Sequence, residues 1–231
     1  MRWGYGFVGQ FQTQEELNTA PSQSDNGPAA WFPGDVRYED WNGDGMISDL
    51  DMFPAGRDNN AEIFYGLNLS TTYKGLSLSL LWQGASNYTL LPSAQMNGPL
   101  MWGRNSIDIF LDRWHHEDPL DFSTPWVPGK FPISRTGFGF SGNQWVSQYT
   151  LQDIWYLRLK NIEVSYTFPT TLTRKIFVQE LRLFANGTNL WTAKSKEAYF
   201  DPEKRLDGDE AQSGYKYPLM KNFNLGIDIT F

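Results

Sequence analysis

The sequence predicts an all-β chain that contributes C-terminal strands to a large antiparallel transmembrane β-barrel, with long loops on the extracellular side. Three observations predict this fold: segments in which apolar and polar residues alternate with a period of two, connections of alternating length, and an aromatic content of 16%. Period-two alternation marks a strand with one apolar and one polar face. Asymmetric loops and aromatic girdles are typical of outer-membrane barrels.

The clearest strand is residues 220–231 (MKNFNLGIDITF), where every second residue from Phe223 to Phe231 is apolar. Residues 62–73 and 76–83 predict a hairpin around a tight turn at Lys74-Gly75. Further strands are predicted at the following ranges: 153–168, 180–190 and, at the start of the chain, 2–9.

Within residues 153–168 the apolar positions change parity near Lys160-Asn161, which indicates a β-bulge. The only predicted helix is residues 106–116 (SIDIFLDRWHH), because four apolar side chains share one helical face there and Pro119 follows.

The predicted connections alternate between long loops and short turns. The long loops lie near 10–60, 85–152 and 191–218, and the short turns lie at 74–75 and around 169–175. Six strands are too few to close a barrel, and two open apolar edges would aggregate. We therefore expect a C-terminal piece of a larger barrel, or one half of a split protein.

Composition excludes several classes of protein. The formal net charge of −7 argues against nucleic-acid binding, and the absence of cysteine excludes disulfides and thiolate metal sites. No apolar run reaches the roughly 18 residues of a transmembrane helix, and the first ten residues lack the pattern of a signal peptide. Barrel strands carry a weaker hydropathy signal, so a membrane location stays open.

Residues 40–51 (DWNGDGMISDLD) have the spacing of an EF-hand calcium loop, without its flanking helices. The predicted ligands are the side chains of five residues and one backbone carbonyl: Asp40, Asn42, Asp44, Ser48 and Asp51, with the carbonyl of Met46. Asp51 replaces the usual bidentate Glu, which weakens binding. The alternative is an Asx-and-glycine turn with solvated carboxylates.

Four segments together resemble the C-terminal part of a SusC/RagA-type TonB-dependent transporter. The first two are similar to family segments at an outer loop: GFVGQFQTQEEL (6–17) and GDVRYEDWNGDGMISDLD (34–51). The third, YLRLKNIEVSYTFP (156–169), is similar to a family strand motif. The last combines NGTNLWT, DPE, YP and the terminal Phe231.

The resemblance implies import of glycans or peptides across a Gram-negative outer membrane by a protein that is not an enzyme. It implies several partners: the remaining barrel strands and plug, TonB, a SusD-like surface lipoprotein, the oligosaccharide or peptide substrate, and the lipid bilayer. The plug and N-terminal strands are expected outside this chain. Phe231 resembles the terminal signal that is read by the barrel-assembly machinery.

Tryptophans in the long loops are candidates for stacking on sugar rings or docking the lipoprotein: Trp31, Trp41, Trp102, Trp114, Trp126 and Trp145. The alternative is that they pack the loops together. Other aromatic residues fit strand or girdle positions better: Tyr73, Trp82, Trp155 and Tyr166.

Charged residues provide further candidates. Arg158 and Lys160 are predicted to face the lumen, where they either pair with plug carboxylates, line the substrate path or are solvated. For His115-His116 a solvated helix end is favoured over a metal site. Carboxylates in the last long loop are interpreted as an acidic loop rather than glycosidase residues: Asp201, Glu203, Asp207, Asp209 and Glu210.

Two other functions remain as alternatives at this stage. One is a soluble, calcium-dependent, β-rich carbohydrate-binding module, and the other is a glycosidase. Both require the apolar strand faces to be buried against a second layer of the same chain.

Overall fold

The fold is described from a computed structural model, in which the described residues are 1–23, 31–92, 100, 105–135, 142–196, 198–203 and 218–231. The chain divides into two compact units. Unit 1 contains Met1–Asn59 and Thr89–Asp153, and unit 2 contains Asn60–Tyr88 together with 154–203 and 218–231. Among the described residues, no helix has the length and apolar character needed to cross a membrane.

The strands, in chain order, are β1 (Arg2–Gly4), β2 (Phe7–Gln10), β3 (Val36–Tyr38), β4 (Phe53–Gly56), β5 (Ile63–Tyr73), β6 (Leu76–Leu90), β7 (His115–His116), β8 (Trp126–Val127), β9 (Gln152–Thr167), β10 (Glu180–Lys194) and β11 (Asn222–Thr230). The α-helices are α1 (Gln14–Thr19) and α2 (Thr170–Thr173). Short 3-10 helices occupy Asp49–Asp51, Asp108–Leu111, Gly142–Gln144 and Arg174–Ile176.

One five-stranded sheet contains the long strands, in the order β5-β6-β9-β10-β11. The pairings β5–β6, β9–β10 and β10–β11 are antiparallel. The Thr167 N–H at the end of β9 donates to the Gly75 carbonyl just before β6 (2.8 Å), so these two strands also run in opposite directions. The sheet is therefore an antiparallel meander, as predicted.

The hairpin turn between β5 and β6 lies at Lys74-Gly75, as predicted. Both residues have positive φ (48° and 87°), which suits a two-residue turn that follows the strand twist. A Cβ at Gly75 would lie 2.5 Å from the Thr167 carbonyl oxygen, so this position requires glycine.

The sheet has one face of exposed apolar side chains. On β11, Phe223, Leu225 and Ile227 are 75%, 87% and 62% exposed. Other exposed apolar side chains lie along the neighbouring strands: Leu67, Leu69, Leu76, Trp155, Val164, Leu183 and Trp191. Soluble monomers rarely leave so large an apolar surface uncovered.

The burial pattern of β9 reverses at the predicted parity shift. Tyr156 and Arg158 are buried before it, whereas Ser165 is buried and Val164 exposed after it. The pairing with β10 is irregular at this point, because Leu159 faces Trp191 while Asn161 faces Thr188. Between these two pairs the chain advances by three residues on β10 and by two on β9. The predicted bulge is therefore present, and its additional residue belongs to β10.

Two predicted elements are wrong. Residues 2–9 do not add a sixth strand to the large sheet, since β1 pairs with β4 and β2 with β3 in separate two-stranded sheets. The helix predicted at 106–116 is only a short 3-10 turn, Asp108–Leu111, followed by extended chain. The Trp114 N–H donates to the Phe131 carbonyl (2.7 Å), and this pairing replaces helical hydrogen bonds.

Unit 1 has a compact aromatic core of its own. Its buried members are Tyr5, Phe11, Leu17, Trp31, Val36, Tyr38 and Ile47. The ring of Trp145 stacks on that of Tyr38 at 5.2 Å and 18°. Helix α1 contributes Leu17 to this core, and the Thr13 hydroxyl caps its first turn by accepting from the Glu16 N–H (3.2 Å).

Candidate functional site

The predicted calcium loop is a series of Asx turns. The Asp40 carboxylate accepts from the N–H groups of Gly43 (2.7 Å) and Gly45 (2.9 Å). The Asn42 side-chain carbonyl accepts from Asp44 N–H, and the Asp44 carboxylate from Met46 N–H, both at 2.8 Å. Local side-chain acceptors therefore shape this loop, as in the Asx-turn alternative.

Asp51 closes the same loop from inside. Its carboxylate is fully buried and accepts from the N–H groups of Trp41 (2.9 Å), Asn42 (3.2 Å) and Ser48 (2.7 Å). Burial raises the pKa of Asp51, but these backbone hydrogen bonds outweigh burial and hold the pKa below its ordinary value. In the described parts of the chain, no three His, Asp or Glu side chains are grouped in a way that would hold a metal ion.

Sequence reasoning missed Asp35 in unit 1, whose side chain is fully buried, like that of Asp51. It accepts from the Phe32 N–H and the Asn143 side-chain amide, each at 2.7 Å, and pairs with the Arg135 guanidinium. Burial raises the pKa of Asp35, and Arg135 and Asn143 oppose this shift only in part. The available sequence signal was that Asp35 belongs to the Gly34-Asp35 pair that begins the family-like segment 34–51.

The loop tryptophans occupy different environments. Trp114 is 3% exposed and Trp31 is buried. Their burial favours the alternative in which these tryptophans pack the loops together over stacking on a substrate. Trp145 is partly buried against the aromatic core, and Trp41 is exposed and stacks on Phe53 at 5.1 Å. Trp102 lies outside the described residues.

Trp126 lines an apolar cavity of about 470 Å³ in unit 1, together with Gln14, Phe32, Pro33, His116, Phe122 and Ile133. The prediction of a solvated helix end at His115-His116 is wrong, since both residues form β7, paired with β8. His116 is buried, and its ring lies 3.8 Å from that of Trp126. Among the described candidate tryptophans, Trp31 also lines a cavity, but that one is much smaller, about 90 Å³.

Unit 2 contains a buried ionic network that involves Arg158. Its guanidinium donates to Asp201 (2.8 Å), to Glu203 (2.6 Å) and, through Nε, to the Thr192 hydroxyl (2.8 Å). The Lys160 ammonium donates to the second oxygen of Glu203 (2.7 Å). Arg158 and Lys160 thus pair with carboxylates of this same chain, a partner set that the sequence analysis did not include.

Asp201 is further held by backbone N–H groups of Glu203 (3.1 Å) and Leu219 (2.9 Å). Burial raises the pKa of Asp201, but the hydrogen bonds from Arg158, Leu219 and Glu203 outweigh burial and place the pKa below its ordinary value. Asp201 and Glu203 therefore form part of a folded structure, unlike a solvated acidic loop. Asp207, Asp209 and Glu210 lie outside the described residues.

A second ionic set crosslinks the strands. Arg182 on β10 pairs with Glu163 on β9 and with Asp228 on β11 (2.7 Å). Its carboxylate partners belong to neighbouring strands, whereas the carboxylate partners of Arg158 belong to the segment after β10. The two arginines therefore perform different structural tasks.

An antiparallel meander with one exposed apolar face and one polar face is the arrangement of a membrane β-barrel wall. No family model matches the chain. Two proteins of Formosa agariphila, TonB-dependent receptors P26 and P3, are 27% and 26% identical to it, over 99% of this chain and 22% of their own length. The resemblance to TonB-dependent receptors is thus confirmed, and the chain spans about a fifth of these relatives.

The fold also matches solved structures. Chains of the RagAB peptide importer in its open-open and closed-closed states both superpose with a TM-score of 0.62, at 17% and 19% identity. Each match covers 99% of this chain and 22% or 23% of the other. The predicted fold class, an incomplete antiparallel barrel, is therefore confirmed. The relatives are transport proteins rather than enzymes, in agreement with the prediction.

Proposed function

We propose that the chain forms part of the barrel wall and extracellular loops of a TonB-dependent importer in a Gram-negative outer membrane. The observation that carries this proposal is the apolar face of the five-stranded sheet, in which Leu225 is 87% exposed in the middle of β11. Such a face is stable when acyl chains cover it. The named relatives support the same function.

The proposed partners follow from the same function. The remaining barrel strands pair with the open edges at β5 and β11, and a plug domain lies inside the barrel. TonB supplies energy, and a SusD-like lipoprotein covers the outer mouth. Glycans or peptides are the proposed cargo, and the likeness to a peptide importer supports the second of these classes.

The test uses single cysteines, because the chain has none of its own. Leu225 and Asn224 are neighbours on opposite faces of β11. In protein isolated from the membranes of expressing cells, a bimane fluorophore on Leu225→Cys should be quenched by lipids with brominated acyl chains. A fluorophore on Asn224→Cys should not be quenched. Equal quenching at both positions, or none at Leu225→Cys, would refute a lipid-facing sheet and favour the soluble carbohydrate-binding alternative.

We also propose that the loop 40–51 binds a structural calcium ion through five of the six predicted ligands: Asp40, Asn42, Asp44, Ser48 and the Met46 carbonyl. The sixth, Asp51, is buried and its carboxylate accepts three backbone N–H groups, so it closes the loop without contacting the ion. Asp40, Asn42 and Asp44 are at least partly exposed, and each of their side-chain oxygens accepts a single hydrogen bond, so each retains a lone pair. Gly43 and Gly45 have positive φ (74° and 83°), so the chain is already tightly turned around these side chains. An extracellular site of this kind works at roughly 10⁻⁴–10⁻³ M calcium.

Calcium should slow hydrogen exchange in residues 40–51, and Asp44→Ala should abolish that protection. Asp49→Ala is the matched control, since Asp49 lies in the same loop but outside the ligand spacing. If the wild-type loop exchanges at the same rate with and without calcium, the site does not exist. If Asp44→Ala keeps the full calcium response, the ligand assignment is wrong.

A further inference from the structure

Residues 198–203, which we call the strap, lie against the polar face of the large sheet. The strap follows β10 and contains Asp201 and Glu203. Its backbone is held at two points besides the ionic network: the Pro202 carbonyl accepts from the Tyr88 hydroxyl (2.7 Å) and the Phe200 carbonyl from the Lys194 ammonium (3.0 Å). These contacts define it as an ordered part of unit 2.

The strap crosses three adjacent strands. Tyr88 belongs to β6, Arg158 and Lys160 to β9, and Lys194 to β10, and these strands are neighbours in the sheet. Neighbouring strands lie about 4.8 Å apart, so the strap covers about 10 Å of the width of the sheet. This is a substantial part of the inner wall for a segment of six residues.

The charges that hold the strap are largely removed from water. The side chains of Arg158 and Asp201 are each 5% exposed, and that of Glu203 is 19% exposed. A buried charge that loses its partner is strongly destabilising, whereas a paired one is tolerated. Without Arg158, Asp201 and Glu203 would be two neighbouring and largely buried carboxylates, with Lys160 bonded to only one of them. The strap would then leave the wall.

Two of the sequence motifs meet in this network. Arg158 and Lys160 come from the strand motif YLRLKNI, and Asp201 and Glu203 come from DPE, some 40 residues later. Their side chains join at distances of 2.6–2.8 Å. The pairing gives a common structural reason for both motifs.

We propose that the strap is a constriction of the transport path, and that Arg158 is the positioning residue that keeps it against the wall. This inference rests on the proposed function, since only a closed barrel makes the polar face a path. The route runs from the ends of β9 and β10 that carry Arg158 and Lys194 to the middle of the polar face, where Asn224 lies. The strap narrows this route. Arg158 therefore limits the size of solutes that pass.

The first measurement follows release of the strap. Ala198 is buried, so Ala198→Cys should react slowly with a water-soluble maleimide in the intact membrane protein. Adding Arg158→Met should raise that rate about tenfold or more, because the buried carboxylates lose their partner. Arg158→Lys, which keeps the charge but loses the two-pronged geometry, should restore much of the slow reaction.

The second measurement follows passage past the strap. In Asn224→Cys protein on intact cells, a small maleimide and one attached to a polyethylene glycol chain are added from outside. Arg158→Met should raise the ratio of large-reagent to small-reagent labelling about tenfold, in parallel with release of the strap. The ratio corrects for differences in the amount of protein.

Arg182→Met is the matched control, because it removes an arginine that has two carboxylate partners on strands rather than on the strap. It should change neither measurement. If Arg158→Met does not fold, Tyr88→Phe removes one strap hydrogen bond and should shift both measurements in the same direction.

An unchanged Ala198→Cys rate would overturn the role of Arg158, and a released strap with an unchanged labelling ratio would overturn the constriction. Failure of the lipid-quenching test would instead refute the importer itself.

Discussion

The two units use apolar side chains in opposite ways. Unit 1 buries them inside itself: Phe11, Val36 and Tyr38 are almost inaccessible to water although the strands around them are only three or four residues long. Unit 2 has strands of nine to sixteen residues and leaves Phe223, Leu225 and Ile227 more than half exposed. Long regular strands therefore do not coincide with a buried core in this molecule.

If the proposed function is correct, this difference means that the two units are stabilised in different ways. Unit 1 has an aromatic core and side chains that bond its backbone, so its own sequence supplies its stability. Gln23, for example, donates to the Val36 carbonyl (2.9 Å) and accepts from the Tyr38 N–H (2.7 Å), as a partner strand would. Unit 2 leaves one apolar face exposed, which acyl chains would cover under the proposed function. Three changes test this contrast, from the largest expected effect to the smallest.

The largest effect is expected from Asp35→Ala in unit 1. The change removes the acceptor for the Phe32 N–H, the Asn143 amide and the Arg135 guanidinium at a buried position. Breaking a buried pair of this kind costs about 3–5 kcal/mol. Hydrogen exchange should show faster opening of amides in unit 1, whereas the amides of β10 and β11 keep their protection.

Glu15→Ala is the control for this prediction, because Glu15 is exposed on α1 and such surface changes stay within about 0.5 kcal/mol. An equal loss of protection in both units after Asp35→Ala would mean that they unfold as one. The contrast drawn here would then be wrong.

The next effect is expected from Leu225→Lys in unit 2. A lysine on the lipid face of a membrane barrel costs about 2–4 kcal/mol at the bilayer midplane. The neighbouring change Asn224→Lys places the same charge on the polar face and should cost far less. The two variants are compared through their urea unfolding midpoints in lipid vesicles. Equal midpoints would show that the two faces of β11 meet the same environment.

The large sheet could be predicted from the sequence because its two faces have different chemistry. Alternation in residues 220–231 indicated β11, and Lys74-Gly75 placed the hairpin turn. The parity shift near Lys160 also located a real irregularity, although the additional residue lies on β10, because a single sequence does not show which strand accommodates the shift.

Unit 1 was much less predictable because distant residues determine its local structure. The segment 106–116 has the apolar spacing of a helix, yet Leu111 is exposed while Trp114 is buried and paired with Phe131. Gly34 shows the same dependence: its φ is 93°, and a Cβ there would lie 2.3 Å from Cγ of Trp114, eighty residues away. No local pattern contains such a contact.

The candidate sites divide in the same way. Spacing alone identified the loop 40–51, since its acceptors and donors are neighbours in sequence. The pairing of Arg158 with Asp201 and Glu203 could not be predicted, because it joins positions more than forty residues apart. The sequence offered two signals for this pairing. One was the pair of cationic residues on one face of β9, Arg158 and Lys160, and the other was the Asp-x-Glu sequence at 201–203, after the next strand.

The smallest effect is expected from pH, through Asp201. Its pKa is lowered in the folded chain, so its charged form stabilises the strap fully above the ordinary pKa of about 4. This contribution is lost as pH falls below 4 through the lowered pKa, since protonation removes the negative charge that pairs with Arg158. Hydrogen exchange of residues 198–203, corrected for the intrinsic effect of pH, should accelerate over that range and recover on neutralisation. Asp201→Asn removes the titration and should flatten the profile. A wild-type profile that instead changes between pH 5 and 7 would assign the control of the strap to another group.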